Sequence, residues 1–274
     1  MKRKILVLLV SIMVAFSVLL IIGFPAGADR SMADTDGNSS APSEPANLKF
    51  ADNYISYILQ KGEVVTFNLF GAQPVSTHET TFLDSVNFIS LGNDNIEIVD
   101  YEISQGDVFE NHQLFNILID VKIDSDELEK AKELTLHYGQ NSAESFSFGE
   151  MVLKSDSGYD SEEIDLTGKH TLASPTPSLD LNLSNETSEY IELIRIYDLA
   201  ENLSFEFADD YRLTAHSTEK VIIEELHESQ EHDFYTVTPI VEYLHSGQTS
   251  YHHLPGVIFG VMDADDEKMR KILD

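Results

Sequence analysis

Six of the ten histidines, His216, His227, His232, His245, His252 and His253, fall within 38 residues of one another. Neutral imidazole is a common metal ligand, so the stretch is a candidate site for zinc, copper or manganese. The candidate ligands are His227, His232, His245, His252 and His253, helped by Glu228, Glu231 and Asp233. Their spacing argues against one site holding all five. His227 and His232 are expected on a turn between strands 220–226 and 234–244, which would pair as a hairpin. His245 would then lie about 40 Å from that turn along a straight strand. The adjacent His252 and His253 would point to opposite faces of a strand. The subsets left are His227 with His232, or His245 with His252 and His253. There is no His-Glu-x-x-His, and the chain has no cysteine to complete a zinc set. The competing interpretation is a set of exposed strand-edge and loop histidines in a polar segment, with no cofactor at all.

Other chemistries find less support. Gly-x-Ser-x-Gly and Ser-x-x-Lys are absent, and so is any phosphate-cradling glycine loop. The carboxylate pairs Glu162-Glu163, Glu224-Glu225 and Asp265-Asp266 lie in charge-rich segments whose default is a solvated face. Asp34-Thr35-Asp36-Gly37-Asn38 has a glycine too early for a calcium loop and no closing glutamate. No catalytic residue can be named, and the expectation is a protein that is not an enzyme.

The elements that would position these residues are strands. Phe115, Ile117, Ile119, Val121 and Ile123 alternate with polar neighbours, the pattern of a strand buried on one side. Further strands are expected at 64–70, 96–104, 134–137 and 145–153, with a short helix over 125–132, where acids precede lysines. A second strand series is expected at 179–183, 190–198, 203–207, 220–226, 234–244 and 256–262, closed by a helix over 265–273. Tyr54, Tyr57, Phe67, Phe70, Phe82 and Phe88 read as core, whereas Tyr235, Tyr243 and Tyr251 offer some strand surface suited to protein contact. The fold class expected is all-β: two tandem antiparallel β-sandwich domains, 48–155 and 179–274, joined by a Pro-containing linker at 156–178.

The run Leu134-Thr135-Leu136-His137-Tyr138-Gly139 through Phe146-Ser147-Phe148-Gly149-Glu150-Met151-Val152-Leu153 resembles the final strands of immunoglobulin-like domains in uncharacterised Gram-positive surface proteins. The resemblance covers about a third of the chain. It implies an immunoglobulin-like fold and a bacterial surface origin, and it carries over no functional residue.

Lys2-Arg3-Lys4, an uncharged run of 18 residues from Ile5 to Ile22, and Ala26-Gly27-Ala28 have the form of a secretory signal. The run is also nearly long enough to span a bilayer, so residues 1–28 are a signal peptide or a membrane anchor helix. Membrane contact is expected only through residues 5–22, if they are retained. Residues 29–47 are polar and acidic, with the composition of a disordered tether. Beyond residue 28 the chain carries 48 acids against 14 Lys and Arg, a net charge of −34. That excess repels nucleic acid and anionic polymers and attracts cations and basic partners. The absence of tryptophan weakens a carbohydrate-binding reading.

Together these features favour a non-catalytic, extracytoplasmic interaction or accessory protein of the cell surface, secreted or anchored, with a protein partner. The alternative is a histidine-rich divalent-metal-binding surface protein, and third a hydrolase with an unrecognised site. Intact-mass measurement on native material is expected to place the mature N-terminus at Asp29; full-length chain confined to the membrane fraction would assign the segment as an anchor.

Overall fold

In the computed structural model the described residues are 47–75, 82–139, 141–261 and 266–273. The segment expected as signal or anchor, all of the expected tether but Asn47, and the Asp34–Asn38 fragment lie outside them. The first half supplies eight strands: β1 (Lys49–Phe50), β2 (Asn53–Leu59), β3 (Val65–Pro74), β4 (Val86–Leu91), β5 (Ile96–Phe109), β6 (His112–Ile123), β7 (Glu129–Tyr138) and β8 (Ser142–Ser155). Twelve follow: β9 (Ile164–Leu166), β10 (Ala173–Ser174), β11 (Leu179–Asn185), β12 (Ile191–Tyr197), β13 (Leu203–Glu206), β14 (Arg212–Leu213), β15 (Thr218–Ile223), β16 (His227–Glu228), β17 (Phe234–Val237), β18 (Ile240–His245), β19 (Gln248–His253) and β20 (Val257–Phe259). A single 3-10 turn covers Phe82–Ser85, and one α-helix, α1 (Asp266–Leu273), closes the described chain. The protein is therefore all-β, built of several sheets.

Two hydrophobic cores follow from the alternation. The first lies between the sheet β1-β3-β6-β5 and the β2-β8-β7-β4 part of a seven-stranded sheet. Phe115, Ile117, Ile119, Val121 and Ile123 of β6 are fully buried in it, as their period-two spacing predicts. The second core gathers the sheets β15-β11-β9 and β16-β13-β12-β18-β19 around Leu181, Leu183, Leu193 and Tyr243.

The seven-stranded sheet, β10-β20-β17-β2-β8-β7-β4, takes strands from both halves. Its centre is β2, paired in parallel with β8 on one side and with β17 on the other. This strand sends Ile55 and Leu59 into the first core and Tyr54 into the second. A strand buried on both faces has parallel neighbours and no polar face. The described residues accordingly form one compact unit, joined across the boundary between the two expected domains. The seven-stranded sheet is mixed, since β10 also pairs β20 in parallel, whereas the sequence suggests purely antiparallel sheets.

Several local expectations are corrected. Residues 125–132 form no helix: Glu129 opens β7, where Glu129, Ala131 and Leu134 are buried while Lys130 and Lys132 point out. Burial alone would raise the Glu129 carboxyl pKa, but hydrogen bonds from Asn93, Asn95 and Ser125 outweigh it and hold the carboxyl below its ordinary value. The acid-then-lysine order belongs to a bulged strand with both lysines beside Glu150. Residues 156–178 are no free linker, since they contain β9 and β10 and their backbone bonds to β11 at Thr167 and Thr171. The expected strand 234–244 breaks at Thr238-Pro239, where proline cannot continue a ladder and the chain passes from the seven-stranded sheet into the six-stranded one. Phe88, read as core, is largely exposed, while Tyr235 and Tyr243, read with Tyr251 as partly surface, are buried.

Gly149 is where β8 meets β2. It has φ +106°, and a Cβ there would lie 2.2 Å from the Asn53 carbonyl oxygen and 2.6 Å from its nitrogen. Gly149→Ala is expected to lower stability by about 2 kcal/mol or more, because left-handed strain adds to a clash with backbone. Urea denaturation of the variant beside the parent chain checks this.

Candidate functional site

The β18–β19 hairpin turns through Ser246 (φ 50°) and Gly247 (φ 76°). Two successive positive φ angles make a type I′ turn, which matches the strand twist and fixes the register. His245 therefore pairs with Gln248, and Val241 with His252. The inner face of the hairpin carries Val241, Tyr243, His245 and His252; Glu242, Tyr251 and His253 face the other way.

Segment 156–163 lies along β19. Tyr159 accepts a hydrogen bond from the His253 backbone N–H at 2.8 Å, and Asp160 forms an antiparallel bridge with His252. The His252 ring donates from Nδ1 to the Ser161 carbonyl at 2.8 Å. The Tyr243 hydroxyl reaches Ser161 Oγ at 2.6 Å and Glu163 Oε2 at 2.9 Å, while His245 Nδ1 lies 2.7 Å from Glu163 Oε1. Burial, then the Glu163 carboxylate, push the Tyr243 hydroxyl pKa up, keeping the hydroxyl protonated as a donor.

Between this segment and β19 lies an open depression of about 480 Å³, lined by residues of segment 156–161, Asp156, Asp160 and Ser161 among them, and by Thr249, Ser250 and Tyr251 of β19. The ring of Tyr251, which lines it, lies 6.0 Å from that of Tyr159 between centroids, and the Lys154 ammonium sits 5.2 Å from the Tyr159 ring. A concave surface of hydroxyls, carboxylates and an aromatic ring can bind by hydrogen bonding and edge contact.

The five candidate metal ligands are dispersed. His227 is exposed on β16, which pairs β13, while β17 pairs β2 and β20, so the expected hairpin around His227 and His232 does not exist. His232 is buried, its ring stacked on Tyr54 at 4.7 Å; its Nδ1 comes within 3.0 Å of Asp52 Oδ1 without hydrogen-bond alignment. His245 is held by Glu163 near the turn, and His252 lies four residue pairs away on the same face. The His253 ring is 6.1 Å from that of His252, with its Nδ1 buried and unpaired among the described residues. Among the described residues no three His, Asp or Glu side chains converge as a metal site requires. Among the candidate histidines, His252 bonds through its ring to Ser161, which lines the depression.

The lining of the depression was missed because its polar residues 156–161 have a linker's composition and β19, Gln-Thr-Ser-Tyr-His-His, has no apolar alternation. No protein family matches the chain, and no curated protein matches it.

Burial first, then the neighbouring His253, lower the His252 pKa below 6.5. The folded state therefore binds this proton less readily than the unfolded state. The stabilising effect is full above pH 6.5 and declines as pH falls through the folded-state value. His252→Asn is expected to remove that component, so the loss of stability of the variant relative to the parent should shrink below pH 6.5; parallel urea titrations at several pH values read it.

Proposed function

We propose that the chain is a non-catalytic interaction module of the cell surface, exported and either secreted or anchored through its N-terminal segment, that engages a protein partner. The single observation that carries the reading is the open, polar depression beside β19, set on a frame whose two cores share one sheet. A rigid frame lowers the entropic cost of binding at its edge.

We read the two halves as immunoglobulin-like units, and the strand orders support it. In the first half the orders β1-β3-β6-β5 and β2-β8-β7-β4 correspond to strands A-B-E-D and A′-G-F-C of that fold. In the second, β9-β11-β15 and β13-β12-β18-β19 correspond to A-B-E and C′-C-F-G. The large acidic excess supports the same reading, keeping an exported protein dispersed and repelling nucleic acid.

Placing a photo-activated cross-linker at Thr249 in living cells tests the reading. A discrete protein adduct is expected outside the cytoplasmic membrane, and none from a cross-linker at exposed Ile222 of β15. Recovery of the chain only from the cytoplasm, or adducts equal at both positions, would contradict it.

A further inference from the structure

We propose that the uncovered edge of β19 is a docking strip for an extended, basic segment of a protein partner, which adds to the sheet as a further strand. The inference rests on the interaction-module reading and names the chemistry of its partner.

The backbone supports it first. In an antiparallel strand alternate residues turn N–H and C=O to the same edge. His253 donates its N–H outward to Tyr159, so Tyr251 and Thr249 turn theirs the same way, away from β18. The bridge from segment 156–161 reaches only His252. From there towards the turn the covering segment and the strand diverge, and the depression opens between them. Gln248 to Tyr251 span about 13 Å, room for four residues of an extended chain. Strand addition at such an edge takes affinity from main-chain hydrogen bonds and specificity from the side chains on the walls.

The walls favour a basic occupant. Asp156 and Asp160 face the depression, and their carboxylates make no hydrogen bond or ion pair with another described residue. The Lys154 ammonium lies over the Tyr159 ring. Tyr251 and Tyr159 offer ring faces and edges to an aliphatic stem or a cation. A chain of net charge −31 adds long-range attraction for a positive segment. A neutral glycan would gain nothing from that field, and an outward backbone edge is of no particular use to it.

Calorimetric titration of the exported protein with a capped octapeptide of alternating lysine and valine tests the proposal. The expected result is binding that weakens as salt rises. It should be lost with the same peptide N-methylated throughout, and be at least about tenfold weaker with glutamate in place of lysine. Asp156→Asn with Asp160→Asn should weaken it about fivefold. Thr249→Pro, which removes an outward donor and spares the ladder to β18, should weaken it as well. Equal binding of the N-methylated or the acidic peptide overturns the proposal, and so does no binding at millimolar peptide. Binding of chitohexaose or maltohexaose that the same variants abolish overturns it in favour of a glycan groove. An adduct at Thr249 in cells without peptide binding would sink the basic-strand inference and leave the interaction module standing; peptide binding by a chain found only in the cytoplasm would do the reverse.

Discussion

Backbone hydrogen bonding on both edges of β2 is the constraint on which the rest of the molecule depends. Strand Asn53–Leu59 is locked in parallel to β8 from the first half and to β17 from the second, and its side chains enter both cores. Removing it would leave two sheet fragments with unpaired interior edges, a cost no surface contact could offset. Side chains reinforce the junction. The Tyr54 hydroxyl donates to Asp198, whose carboxylate also accepts the backbone N–H of Leu203 and so holds the turn between β12 and β13. Asn53 is buried with both ends of its amide bonded to backbone, at Ala51, Phe148 and Phe70. Asp52 and Asp233 bond reciprocally across the join, the Asp52 N–H to the Asp233 carboxylate and the Asp233 N–H to the Asp52 carbonyl.

The same junction sets where the candidate site can be. Because β17 is committed to the seven-stranded sheet, the chain must change sheets at Pro239, and β18 then enters the six-stranded sheet beside β12. The type I′ turn returns it as β19, the last strand of that sheet. Segment 156–163 follows directly on β8, the neighbour of β2, and runs along β19, so the depression is walled by that segment on one side and by β19 on the other. Helix α1 closes the opposite sense of the join: Ile272 and Met269 pack with Phe70, Ala51 and Phe234, Arg270 pairs with Glu110, and Lys271 pairs with Glu231.

Legibility in the sequence tracked one-sided burial. Strand β6 announces itself because one face is apolar and the other polar, and α1 because its charges and apolar positions recur at helical spacing. Strand β2 stays hidden for the opposite reason: Asn-Tyr-Ile-Ser-Tyr-Ile-Leu is buried on both faces, so alternation vanishes and the strand that joins the halves looks like ordinary apolar sequence. Parallel pairing between β2 and β17, some 180 residues apart, leaves no local trace. At the site, histidine density suggested ligands, yet the density comes from unrelated positions: a buried ring against Tyr54, an exposed β16 residue, and a hairpin whose histidines bond to segment 161–163. Polar side chains that line a groove and those that line a solvated linker have the same composition, so only the pairing partner separates them.

The central claim is that the shared sheet makes the two cores one cooperative structure. Differential scanning calorimetry of residues 29–274 measures this directly. One transition, with the calorimetric enthalpy equal to the van't Hoff enthalpy, is the predicted result. Two resolved transitions, each with the enthalpy of about half the chain, would contradict it and return the protein to two independent domains.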